Sequence, residues 1–234
     1  MSQEVNSNHF LYIDQLPPRE REESYVRLKK GEVVTERLQT LEQGRQIPIL
    51  GGLIHHWLGT VFIPGTTLAK TLAFLQDYND QYKFYAPDVQ QSKLIEHDGN
   101  KFKVFLRLRK TKVVTVILNT NYDVKYETLS PDRATSYSYS TRIAEVENAG
   151  EPNEAEKPVG NDSGFLWRLN SYWRFFEQDG GVYVQLEAIS LTRDIPSGLG
   201  WLVGPFVTSI PKESLDFTLT RTRDALAPNF GAKP

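Results

Sequence analysis

The sequence contains no cysteine, which excludes disulfides, thiol nucleophiles and thiolate metal sites. That absence leaves the redox compartment open. No apolar run approaches the roughly 18 residues of a membrane-spanning helix, and Met1–Val5 opens no signal-peptide core. The expectation is a soluble chain with no integral membrane segment, cytoplasmic by default and exported if a leader has been removed. An excess of one charge is lacking too. The 27 Lys and Arg stand against 29 Asp and Glu, a net −2, so no global pull towards nucleic acid or an anionic membrane exists. No nucleic-acid partner is expected. The densest basic run, Arg107 to Lys112, reads as a charged strand end and turn. No serine sits in a nucleophile elbow, and no glycine-rich loop is built to cradle phosphate.

What is present reads mostly as strand. At 234 residues the chain can bury a substantial core and leave a cavity beside it. Residues 1–30 are polar and charged, and read as a loose arm leading past Pro17-Pro18 into a short helix or extended segment. Residues 31–234 read as a single domain. Glu32–Leu41 and Leu53–Ile63 are β-compatible and form a hairpin with a long loop. Thr66 or Thr67 caps a helix over Leu68–Asp77, and Tyr78–Tyr85 continues it or starts a second short one. A meander follows: Ser92–His97, Lys101–Arg109, Val113–Glu127, Ala134–Glu147, Phe165–Glu177 and Val182–Thr192. Asp98-Gly99-Asn100 and Asp179-Gly180 provide tight turns. Asn148–Ser163 is acidic and rich in Pro, Gly and Asn, the composition of a flexible surface loop. Ile195–Ile210, with Trp201, Leu202, Phe206 and Val207, returns the chain to a final helix over Pro211–Leu226. In that helix Leu215, Leu219, Thr222 and Leu226 form one stripe, and Lys212, Asp216, Thr220 and Arg223 lie away from it. One long amphipathic helix after so many strands needs a sheet to close around it.

The strands can be phased. With Asp179-Gly180 as a two-residue turn, Trp173 faces Leu186 and Phe175 faces Val184. The apolar face then carries Phe165, Trp167, Leu169, Trp173, Phe175, Val184, Leu186 and Ala188 towards the helix, and Arg174 and Glu187 point outwards to solvent. The same alternation puts Phe102, Val104, Leu106 and Leu108 inside. It does the same for Val114, Val116, Leu118, Tyr122, Val124 and Tyr126, and it favours Tyr137, Tyr139, Thr141 and Ile143 over Ser136, Ser138 and Arg142. Such a face is either an ordinary aromatic core or a cavity wall where phenols orient an apolar ligand.

Val61-Phe62-Ile63-Pro64, Leu75-Gln76-Asp77-Tyr78, Tyr85-Ala86-Pro87-Asp88-Val89, the hairpin of Leu94–Asp98 with Lys101–Leu108, and Trp173-Arg174-Phe175 fall in an order that resembles the START-like helix-grip superfamily. Its members include lipid-transfer domains, polyketide cyclases, coenzyme Q-binding proteins and a pollen allergen. The resemblance covers about residues 50–227. It implies an α+β fold, in which a curved antiparallel sheet wraps around a long C-terminal helix, with short helices after an early strand. It also implies a hydrophobic cavity between sheet and helix that binds or carries a lipid-, quinone- or polyketide-like small molecule. The candidate lining is then Trp57, Leu106, Leu108, Tyr122, Tyr126, Tyr137, Tyr139, Trp167, Trp173, Leu186, Leu215 and Leu219. Two alternatives stay open. One is a cyclase- or hydrolase-like enzyme using His55 or His56 as a pocket acid/base, and the other is an interaction module with a filled core. Adjacent strand residues face opposite ways, so His55 and His56 cannot share one metal ion. Neither a metal nor a cofactor is expected.

Overall fold

The computed structural model describes residues 9–112, 114–158, 160–194 and 209–227. Most of the expected Ile195–Ile210 connection, including Trp201, Leu202, Phe206 and Val207, lies outside the described residues. The fold is α+β and antiparallel, the START-like helix-grip arrangement. Its strands are β1 (Val34–Arg37), β2 (Leu41–Glu42), β3 (Arg45–Gln46), β4 (Gly52–Pro64), β5 (Val89–Asp98), β6 (Lys101–Thr111), β7 (Thr115–Ser130), β8 (Arg133–Glu147), β9 (Ala155–Glu156), β10 (Arg168–Gln178) and β11 (Gly181–Arg193). The main sheet runs β1-β4-β11-β10-β8-β7-β6-β5, with β9 added to β8, while β2 and β3 form a small hairpin of their own.

Turn chemistry sets the registers. Asp179 and Gly180 both hold positive φ (58° and 73°), the requirement of a type I′ turn, and Gln178 pairs with Gly181 as the turn predicts. Trp173 therefore faces Leu186, and Phe175 faces Val184. Gly99 (φ 57°) supplies the positive φ of the β5–β6 turn, where Asp98 pairs with Lys101. Helix α1 (Pro18–Lys29) starts on a proline in its first turn. In α2 (Leu68–Gln76) the Lys70 N–H donates to the side chain of Thr67, and in the same first turn the Leu68 N–H donates to Glu177 Oε2 at 2.6 Å. A single short turn, α3 (Gln81–Phe84), leads to β5.

Helix α4 (Ile210–Leu226) rests on β4 and β11 and leaves β10, β8, β7 and β6 to form the rest of the inner face. Its close approach is set by Gly59, where a Cβ would stand 2.7 Å from Leu219 Cδ1 and 3.0 Å from Leu215 Cδ2. Leu215, Leu219 and Thr222 are buried as the stripe requires. Arg223 departs from the expectation. It is buried too, because its guanidinium turns back to donate to the Gly31 carbonyl and to pair with Asp224. The main core gathers Val61, Ile63, Leu75, Tyr78, Phe175, Val184 and Leu219 between the sheet and its helices.

The opposite face of the sheet is also partly covered. From Phe10 onwards the N-terminal arm is docked: Phe10, Leu11, Ile13 and Leu28 are buried in a second cluster with Phe62 and Tyr183. The Tyr12 N–H donates to Gln185 Oε1 at 2.6 Å, and the Arg174 guanidinium donates to the Phe10 carbonyl at 2.6 Å. Arg174 and Glu187 do point outwards, but they are not solvated as expected. The arm shields the first, and Glu187 is buried against His56. Residues 148–158 carry the short strand β9 and are tied to the sheet by Arg107–Glu154 and Arg142–Glu156 ion pairs.

Candidate functional site

Between α4 and the inner face of the sheet lies a cavity of about 300 Å³, running along β7 from Val116 to Tyr126. Cross-strand pairing explains its shape. One row of facing residues reads Phe102, Val124, Ser138, Ser171, Ala188 and Trp57, each pair in register across neighbouring strands. Small side chains occupy the middle of that row, so the floor is hollow between the large rings of Trp57 and Phe102. In the adjoining row, Tyr126, Ser136, Trp173, Leu186 and Gly59, the small Ser136 sits between two large rings and Gly59 ends the row beneath the helix. Hollow strands beneath a helix held to one side leave room that an evenly apolar face would fill.

Of the predicted lining, Trp57, Leu106, Leu108, Tyr122, Tyr126, Trp173, Leu186 and Leu215 border the cavity. Leu219 does not border it. It lies fully buried between helix and strand at Gly59. Tyr137 and Tyr139 are on the other face, where Tyr139 is 40% exposed and packs on Tyr137 and Tyr172. The cause is a β-bulge: Asn121 pairs with Arg142 but Tyr122 pairs with Ser140, leaving Thr141 unpaired and reversing the alternation. Ile143 and the serines 136, 138 and 140 thus share the inner side. Trp167 precedes the first residue of β10, where the ladder no longer enforces alternation. Its indole N–H donates to Asp162 Oδ1 at 3.1 Å, and the Arg193 guanidinium lies over its ring.

The histidines also fall outside the cavity lining. His55 bonds through Nε2 to Thr192 Oγ1 at 3.0 Å, and burial followed by the Arg37 charge lowers its pKa. His56 is held at both ring nitrogens, by Thr40 Oγ1 at 3.0 Å and Glu187 Oε1 at 2.8 Å. Among the described residues no group of three or more His, Cys, Asp or Glu is arranged to hold a metal ion.

The polar groups of the cavity are mostly hydroxyls. Tyr78 and Tyr126 share a hydrogen bond of 2.9 Å, and Tyr85 shares one of 2.8 Å with Thr222. Burial pushes the phenols of Tyr122 and Tyr126 up to about 12, so both remain neutral near pH 7. Asp88 and Lys110 line the cavity as an ion pair, with the ammonium also 5.7 Å from the Phe217 ring centroid. Sequence reading misses the serines, Tyr78, Tyr85 and this ion pair as lining. The run Ser136-Tyr137-Ser138-Tyr139-Ser140 signals two faces, but only the bulge decides which one looks inwards.

Comparison with solved structures supports the fold. A STAR-related lipid transfer protein fragment from Xanthomonas axonopodis superimposes with a TM-score of 0.52 at 18% identity, over 82% of this chain and 98% of that one. A protein from Thermus thermophilus gives 0.50 at 14% identity, over 72% and 94%. No protein-family model matches the sequence. No curated protein matches it either. The class defined by the architecture is thus the START-like helix-grip fold.

Proposed function

We propose that this chain binds, and carries, a mostly apolar small molecule in the cavity between its sheet and α4. The observation that carries the reading is the cavity itself, about 300 Å³ bordered by Trp57, Trp173, Leu106, Leu186 and Leu215. A filled interaction module would have no such space. Removing a ligand's apolar area from water supplies about 25 cal/mol per Å² before entropic losses. The lipid-transfer name of the Xanthomonas fold neighbour is consistent with this reading. The carrier unit is the domain of residues 31–234, with the described part of the arm from Phe10 to Leu28 bracing its outer face. An acid/base enzyme built on His55 or His56 finds less support, because the hydrogen bonds of both rings are to protein partners and neither ring borders the cavity.

The test is native mass spectrometry of protein purified without detergent, followed by titration with the neutral probe N-phenyl-1-naphthylamine. A carried ligand appears as a mass excess, and the stripped protein binds the probe saturably with quenching of Trp57 and Trp173. His55→Ala and His56→Ala, compared where both remain folded, should keep that binding. A chain that binds neither this probe nor a panel of lipids and quinones is not a carrier.

A further inference from the structure

One apolar stretch of the chain is held out in solvent. Ile47-Pro48-Ile49-Leu50 joins β3 to β4, and Leu50 is 103% exposed and Ile49 36%. Leu41, on the same small hairpin, is exposed as well. A lone exposed leucine is ordinary, but a contiguous exposed run marks a contact surface. The loop has a defined shape. The Gly52 N–H donates to the Ile49 carbonyl at 3.2 Å, the Asp194 N–H donates to the Gly51 carbonyl at 2.8 Å, and Gly51 holds a φ of 67°. Its place in the fold is the rim of the cavity. Just past the loop Gly52 pairs with Arg193 and Leu53 with Thr192, and Thr192 borders the cavity. Phe165 and Leu166 border it too, leading into β10 where Arg168 pairs with Leu191.

We infer that this loop docks the protein on the surface of a lipid bilayer, burying Ile49 and Leu50 at the boundary of headgroups and acyl chains with the cavity rim turned to the membrane. The choice of partner rests on the carrier reading, since an apolar guest is taken from and returned to an apolar phase. A protein partner suits the loop less well. Pro48 has no N–H to donate and Gly51 is left-handed, so the segment is ill-suited to adding a strand to another chain's sheet. Four residues also fall far short of the roughly 800 Å² that each side of a standard protein interface buries. A bilayer demands no complementary shape. Nor is the attraction one of charge, because Glu42 and Arg45 face each other across the hairpin and the whole chain carries a net −2. Apolar insertion drives the contact, and zwitterionic lipid suffices.

The chain has no cysteine, so one introduced thiol gives a unique label. A nitrobenzoxadiazole dye is placed on Leu50→Cys of the full chain. The control carries it on Leu129→Cys, an exposed site near the end of β7 at the opposite end of the sheet. On adding phosphatidylcholine vesicles the first should brighten and shift to the blue, and the second should not. Vesicle binding should change by less than about twofold between low and high salt, because no exposed charge pairing drives it. In unlabelled protein, Ile49→Ser combined with Leu50→Ser should weaken co-sedimentation with vesicles about tenfold, the order expected for two large apolar side chains at an interface. The same variant should bind N-phenyl-1-naphthylamine in solution as the parent does. If it melts lower than the parent, Leu50→Ser alone carries the comparison, at about a threefold loss. Equal dye responses at the two sites, no response at Leu50, or a response abolished by salt would overturn the inference. So would a response that grows with protein concentration without vesicles, which would assign the loop to a second copy. Naphthylamine binding that persists in those cases keeps the carrier reading. A chain that binds no naphthylamine loses the carrier reading and this choice of partner with it.

Discussion

Single side chains decide where this protein is hollow. Tyr78→Phe keeps the ring but leaves the buried Tyr126 hydroxyl without its 2.9 Å partner, and should cost about 1–3 kcal/mol in a denaturant titration. Gly59→Ala places a methyl group against Leu215 and Leu219 and should cost about 1–3 kcal/mol through overpacking. Glu145 gives a pH-dependent test. Burial alone would raise its carboxyl, but the N–H groups of Ser163 and Phe165 and the Lys157 ammonium outweigh that and hold it below the usual range. A lowered folded pKa means stability that is full above the ordinary Glu value of about 4.3 and lost as pH falls through the folded value. Glu145→Gln should therefore flatten the acid limb of a stability-versus-pH curve, and an unchanged limb would show that these bonds contribute nothing. At this scale the sequence is legible wherever alternation runs unbroken. One turn places both strands of the last hairpin correctly, residue by residue, from Leu169 to Ala188. On β8 the extra residue at Thr141 has no compositional mark, so simple alternation puts Tyr137 and Tyr139 on the wrong face.

Among elements, α4 and the arm hold opposite faces of the same strands. Leu219→Ala should cost about 2–5 kcal/mol, since its side chain is fully buried where the helix crosses β4. A midpoint equal to the parent's would mean the helix is not gripped. The helix is legible because its stripe has a clean 3.6-residue period. The docking of the arm is not, because Phe10, Leu11 and Ile13 form a short cluster without a period, and their partners Phe62 and Tyr183 stand on the face that alternation assigns to solvent. Deleting residues 1–13 should lower stability by at least about 3 kcal/mol, given about 1.5–3 kcal/mol for each large apolar side chain buried, and should increase binding of a surface-hydrophobicity dye. The 148–163 segment reads from composition as flexible. Its Arg107–Glu154 and Arg142–Glu156 pairs predict that Arg107→Ala combined with Arg142→Ala speeds proteolysis there while the rest of the chain stays intact.

For the whole molecule, a guest that binds only the folded state stabilises it in proportion to RT ln(1 + [L]/Kd), about 2.7 kcal/mol at a hundredfold excess over Kd. The edges of the sheet bear on its behaviour too. At one edge β5 is broken by register shifts after Val89 and Leu94 and carries Lys93, Glu96 and His97, features that discourage pairing with a second chain. Near the other edge, β4 pairs along its full length with β11: Gly52 with Arg193, Pro64 with Gly181. The arm waits on that same strand, since its Tyr12 N–H is bonded to Gln185. During synthesis the first quarter of the chain therefore leaves the ribosome long before the strand that completes it. Until β11 emerges, β4 presents an unpaired edge and the arm can meet Phe62 but lacks Tyr183 and Gln185, so the chain depends on non-local pairings of the kind that slow folding and expose it to aggregation.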